Sequence, residues 1–145
     1  MSNHYSRILG PKACRTLERV AELIVPAVDD FPSFTQLGCV EHVDDVIGSA
    51  PPKDAADLNL FLTVLYFAPT SVLRFVVRNM ENADSWFEPA ATTFRLLDLG
   101  LRGLVLSLYY SGKHGANYKG KTPAEVIGFS LNRVPRQTVS TIEAK

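Results

Sequence analysis

Prolines and glycines cut this chain into helix-length pieces, and the apolar spacing inside those pieces is what most restricts its fold. In the first piece Ala13, Leu17, Val20, Ala21 and Ile24 recur at i, i+4, i+7, i+8 and i+11. Only a helix turns that spacing into one face. Pro11 suits a first turn and Pro26 stops the run, so a helix is expected from Pro11 to Val25. Residues 27–34 read as a loop holding Asp29-Asp30, Pro32 and the exposed-looking rings Phe31 and Phe34. Val40, Val43 and Ile47 mark a second helix from Cys39, with Gly48 as a left-handed end. After a connector at 49–53, Asp54 is expected to cap a third, with Leu58, Phe61, Leu62 and Leu65 inside. A fourth restarts after Pro69 through Leu73, Val76, Val77 and Met80.

The longest piece runs from about Pro89 to Tyr110, with Phe94, Leu97, Leu101, Leu104, Val105 and Leu108 at helical spacing. Its end, residues 104–110, would also suit a strand by apolar density alone. Gly100 and Gly103 each cost about 1 kcal/mol in a helix interior, and close approach of another backbone would explain them. Thr122-Pro123-Ala124-Glu125 is a capping box that starts a short helix ending at Gly128. The expected fold is all-α: one compact domain of about five or six helices at 11–130. An N-terminal arm at 1–10 precedes it, and an extended polar tail follows at 131–145.

Charge narrows the function. Lysine plus arginine and aspartate plus glutamate are equal at 15 each, whereas a dedicated nucleic-acid binder draws affinity from a basic excess. Within that balance, residues 22–57 hold eight acids against the single base Lys53, and residues 111–136 hold five bases against Glu125 alone. Either the two blocks face each other or are simply solvated, or the basic end docks on an acidic partner. Cys14 and Cys39 fall at apolar helix positions and read as buried thiols rather than a disulfide. Residues 1–9 lack a secretory apolar core, and no stretch reaches about 18 uncharged apolar residues, so no membrane span is expected.

Three patterns invite a chemical reading. Residues 115–122, GANYKGKT, match the phosphate-cradling pattern G-x-x-x-x-G-K-[ST]. That device needs a strand before the loop and a parallel sheet around it, and the upstream chain reads as helix. His42 and Asp45 share a helix face at i, i+3, as two metal ligands would, but no second ligand pair accompanies them. Asp29-Asp30 would act as an acid–base pair only on opposite sides of a pocket, and a turn is the plainer account. No catalytic, cofactor or metal residue is therefore assigned. The aromatics differ, because Phe31, Phe34, Tyr109, Tyr110, Tyr118, Phe129 and Trp86 fall in or beside loops. They either cap the ends of the core or form a partner surface.

With those residues in place, the chain resembles the gluconate 2-dehydrogenase subunit 3 family. The likeness lies in Leu23-Ile24-Val25-Pro26 at the end of the first helix, and in Asp29-Asp30-Phe31-Pro32 followed by Gly38-Cys39-Val40 with Asp44. It continues in the paired Tyr109-Tyr110 and in Ile127-Gly128-Phe129. Such subunits accompany glucose–methanol–choline-type flavoenzymes and carry no flavin. The resemblance thus implies a non-catalytic small subunit that stabilises, or assists folding of, an FAD-dependent alcohol or sugar dehydrogenase or oxidase. FAD would belong to the large catalytic chain. A free-standing helical ligand-binding or adaptor domain is the alternative. The partner surface would comprise Phe31, Phe34, Tyr109, Tyr110, Tyr118 and Phe129, with Arg133 and Arg136 of the tail. Many members start with a twin-arginine export signal. This sequence does not, which implies a cytoplasmic complex, or a periplasmic one if the chain travels with its partner or has lost a signal.

Overall fold

A computed structural model describes residues 6–85 and 87–129. Helices account for the architecture: α1 (Pro11–Ile24), α2 (Phe34–Leu37), α3 (Val43–Ile47), α4 (Pro52–Leu65), α5 (Thr70–Glu81), α6 (Ala90–Leu97), α7 (Gly103–Tyr109) and α8 (Pro123–Val126). A 3-10 turn at Cys39–His42 leads into α3, another follows α5 at Ala83–Ser85, and a π-turn at Asp98–Arg102 joins α6 to α7. Among the described residues the only β-type pairing is one bridge between Val28 and Phe31. The fold is all-α, and residues 104–109 are helical rather than extended.

The central element is α1. Ala13, Thr16, Leu17, Val20 and Ala21 are buried, and the helix touches α2, α4, α5 and the Cys39–His42 turn. Alanines at 13 and 21 are small enough to let neighbouring helices come close, and Leu17 is fully buried between them in sequence. Two polar links hold α4 against it. The Gly10 backbone N–H donates to Asn59 Oδ1 at 2.8 Å. At the other end the Arg19 guanidinium donates to the carbonyls of Tyr66 (3.2 Å) and Ala68 (2.9 Å). Those carbonyls lie just past the end of α4, where the helix itself supplies no donors.

Several expectations give way to local chemistry. The second helix is two pieces, because Gly38 (φ 68°) ends α2 in the left-handed region and the chain re-enters through the 3-10 turn. Gly48 is not a left-handed end; its φ is −64°. The third helix starts at Pro52 rather than at an Asp54 cap, since a first-turn proline loses no helical hydrogen bond. Phe34 is buried, not exposed, as the first residue of a helix capped by Ser33 and Gln36. Gly100 and Gly103 have no close backbone neighbour: an added Cβ at either meets nothing within 4 Å. Of the expected arm, residues 6–10 pack against the fold. Leu9 is buried, Arg7 N–H donates to Asp44 Oδ2 at 2.7 Å, and the Ser6 hydroxyl also bonds Asp44. Residues 1–5 and the tail from 130, with Arg133 and Arg136, lie outside the described residues, as does Trp86.

Both cysteines are buried free thiols. Burial pushes the Cys39 thiol up to about 12 and raises that of Cys14. A thiolate is the reactive species, and at pH 8, far below 12, Cys39 stays protonated. A colourimetric disulfide reagent at pH 8 should therefore leave Cys39 unmodified in the native chain and label both thiols in denaturant. Fast native labelling of Cys39 would contradict this packing. For the α1–α4 seam, Arg19→Ala should lower unfolding free energy in urea by about 1–3 kcal/mol, the cost of stranding two carbonyls. A loss below about 0.5 kcal/mol, the level of an ordinary surface change, would show that solvent replaces the guanidinium at no cost.

Candidate partner interface

The late loop lies on the early chain. Gly115 N–H donates to the Leu37 carbonyl at 2.8 Å and Ala116 N–H to Glu41 Oε2 at 3.2 Å. A Cβ on Gly115 would stand 3.1 Å from the Gly38 carbonyl oxygen and 3.2 Å from its Cα. Two glycines thus meet where side chains would separate the segments. Lys113 Nζ sits 2.7 Å from Asp45 Oδ2 and holds that carboxyl below its usual range. His42 Nε2 is 3.0 Å from the His114 carbonyl. A carbonyl only accepts, so Nε2 carries the proton, and Nδ1 faces Asp45 Oδ2 at 3.6 Å. The acidic and basic blocks therefore do meet here, through Lys113 and Asp45. His42 and Asp45 serve that contact, and among the described residues no group of three or more His, Cys, Asp or Glu is placed to hold a metal ion.

The same geometry accounts for GANYKGKT without a phosphate. The loop leaves a helix, α7, and not a strand. A Cβ on Gly120 would fall 2.5 Å from the Tyr118 hydroxyl, which donates to the Lys121 carbonyl at 2.7 Å. Thr122 N–H donates to Glu125 Oε2 at 2.8 Å, and the Thr122 hydroxyl accepts from Glu125 N–H. A carboxylate already occupies the start of α8, where a phosphate would need to sit. Hydrogen bonding to Thr122 keeps Glu125 ionised by lowering its pKa.

The predicted aromatic surface divides. Tyr109 is 1% exposed and its hydroxyl donates to the Pro32 carbonyl at 2.6 Å. Burial pushes that phenol up to about 12. Tyr110, next along the helix, is 51% exposed and meets the Tyr109 ring edge-to-face at 5.0 Å between centroids. Successive helical residues point about 100° apart, which separates the two rings. Phe34 and Tyr109 are therefore core residues with no surface to offer a partner. Phe31 is half-buried and bridged to Val28, and Tyr118 is half-buried within the loop. Tyr110 and Phe129 remain exposed, and so does Ile127, which belongs to the Ile127-Gly128-Phe129 motif but not to the partner surface expected from sequence. It stands beside Gly128, whose φ of 70° follows α8.

Two further features went unread in the sequence. Leu60, Val64 and Phe67 form an exposed stripe along α4 and its end. An open cleft of about 370 Å³ lies beside the π-turn, walled by Ile47, Leu58, Leu97, Leu101 and Leu104, with Gly100 leaving its floor bare. Asp54 and Ser107 are its polar rim. No helix among the described residues is long and apolar enough to cross a membrane. No protein-family model, curated protein or solved structure matches the chain.

These contacts separate structure from chemistry in the loop. Gly38→Ala should destabilise by more than about 1 kcal/mol, since it forces φ 68° on an L-residue at a 3.2 Å contact. Lys121→Ala, on an exposed side chain, should change stability by less than about 0.5 kcal/mol. Millimolar ATP should leave the melting temperature where it was. An ATP-induced rise abolished by Lys121→Ala would restore the phosphate-loop reading.

Proposed function

We propose that the chain is a non-catalytic small subunit that binds and stabilises a larger FAD-dependent alcohol or sugar dehydrogenase or oxidase. The observation that carries the binding role is the amount of apolar side chain facing solvent. Tyr110, just past α7, and Ile127 and Phe129, just past α8, are exposed, and further large apolar groups stand out on α4, on α5 and along residues 90–109. Exposed apolar groups in such number mark surfaces that something else covers. The flavoenzyme as partner rests on the ordered short motifs from Leu23 to Phe129, with no family model behind them. In this reading FAD sits wholly in the large chain, and Tyr110 is the ring that inserts between the two. Its apolar body and polar tip suit an interface core.

The cleft beside the π-turn favours a second reading, a helical domain that holds a small apolar molecule. Its volume of about 370 Å³ falls within the range of ligand pockets. Its placement differs from that of Tyr110, so one variant separates the two readings.

The chain expressed alone should be colourless. Co-purified with a large FAD-dependent chain of that class, it should come off the column with flavin absorbance near about 450 nm. Tyr110→Ala should reduce the co-purified yield by roughly tenfold or more, consistent with a hot-spot truncation of about 2 kcal/mol, while far-UV circular dichroism stays helical. Flavin bound to the isolated chain would defeat the cofactor-free assignment, and full yield with Tyr110→Ala would move the interface elsewhere. Gly100→Leu, which fills the cleft, should leave the yield unchanged.

A further inference from the structure

The face of α4 turned away from α1 has no partner in the chain. Its exposed positions are Lys53, Ala56, Asp57, Leu60 and Val64, continued by Phe67 just beyond the helix end. Leu60, Val64 and Phe67 are 62%, 63% and 74% exposed. The opposite face is also apolar, with Leu62 buried and Leu58, Phe61 and Leu65 packed on the core. From Leu58 to Phe67 this element is apolar on both sides, as a segment in an interior would be, and the intramolecular contacts of α4 cover only one of them.

The groups that border the three apolar side chains carry opposite charge. Asp57 lies one turn before Leu60, with the exposed Lys53 a further turn away. At the far end the Lys12 ammonium rests over the Phe67 ring, 4.9 Å from its centroid, and 5.7 Å from that of Tyr66. Among the described residues neither Asp57 nor Lys12 has an ion-pair partner. Acid, three apolar groups and base along one line are self-complementary when the line is reversed.

We infer that α4 pairs antiparallel with α4 of a second copy of this chain, about a twofold axis at the level of Leu62. The register follows from arithmetic on the sequence. Positions that sum to 124 face each other, so Leu60 meets the second copy's Val64, and Asp57 meets its Phe67. Asp57 and Phe67 are about 15 Å apart along the helix at 1.5 Å per residue, so the reversed helix spans the same length. Asp57 thereby reaches the ammonium that rests on the second copy's Phe67, and the symmetry makes this pair twice. An isologous contact of this kind closes on itself and leaves no further apolar edge on α4. Antiparallel helices also place opposite ends of their dipoles together. The contact is one helix wide, below the standard interface size, so a dissociation constant on the order of 10 μM is expected. The inference does not depend on a flavoenzyme partner, because the Tyr110 end of the chain plays no part in it.

Sedimentation equilibrium of the full chain, at roughly 5 to 300 μM to bracket that constant, tests it. The mass should rise from 16.0 kDa towards twice that value. Val64→Asp should hold it at one chain across the range, with unchanged circular dichroism and melting temperature. Asp57→Lys and Lys12→Asp should each weaken dimerisation about tenfold or more, since each puts like charges together twice. The double variant Asp57→Lys with Lys12→Asp should return the constant to within about threefold of the wild type, because the pairs re-form reversed. A wild-type chain monomeric throughout overturns the inference, and so does a dimer indifferent to Val64→Asp. A dimer that Val64→Asp breaks but charge reversal does not affect overturns the antiparallel register and with it the proposal. If the wild type is monomeric and Val64→Asp instead blocks a flavoenzyme subunit, the stripe belongs to that subunit. The test also stands apart from the function proposed above, since Tyr110→Ala should leave the dimer intact.

Discussion

Everything else in this fold is arranged around the seam between α1 and α4. The buried face of α1, with Ala13, Leu17, Val20 and Ala21, supplies its apolar packing. Apolar burial of that kind is strong but does not fix how far one helix slides along another. The polar links at its two ends do. Asn59 receives the N–H of Gly10 where α1 begins, and Arg19 reaches the carbonyls that α4 leaves open at its own end. A slide by one turn, about 5.4 Å, would break both links and strand the carbonyls. The seam also has a consequence at the surface. Because α1 claims one side of α4, and α4 is apolar on the other side too, the helix that anchors the core is the one that leaves a stripe in solvent.

A second constraint joins the ends of the described chain. Gly38 and Gly115 touch backbone to backbone, and Lys113, Glu41 and His42 close the contact on either side. Three of the four fixed positions of the phosphate-loop pattern have a role in this closure or beside it. Gly115 permits the approach to Gly38, Gly120 lies beneath the Tyr118 ring, and Thr122 starts α8 with Glu125. Glycines for close approach and a threonine for a helix start are the same demands a phosphate loop makes, so the two devices converge on one string of letters.

Periodicity made the long elements readable. The stripes of α1, α4, α5 and the α6–α7 rod stood at their positions because a buried face repeats every three to four residues. Thr122–Glu125 was equally plain, since its hydrogen bonds are local. Short elements escaped for the converse reason. Ser33-x-x-Gln36 followed by Gly38 is a start-and-stop signal for α2, yet its four residues hold no period, and Phe34 therefore read as a loop ring. Gly48 and Gly38 both follow a helix, but Gly38 does so against Gly115, a contact 77 positions apart in sequence that no local pattern announces. Within the aromatic surface, Tyr109 and Tyr110 were separable in advance by the helical turn between them. Which of the two faces inward depended on the Pro32 carbonyl, which lies on another segment.

The two proposed surfaces answer different features of the chain and do not compete for the same atoms. Tyr110 follows α7, whose neighbours are α3 and the Cys39–His42 turn, whereas the α4 stripe belongs to a helix packed on α1. A large subunit seated at the Tyr110 end would leave α4 open, and an α4 pair would leave Tyr110 open. If both proposals hold, the chain would bring two large chains into one assembly, with the twofold axis running between the paired α4 helices. Net charge of zero fits such a part. A chain without excess charge has little self-repulsion to keep copies apart, so specific contacts over its apolar faces would decide how copies meet, as the proposed α4 pair would with Asp57 at one border of the stripe and Lys12 of α1 at the other.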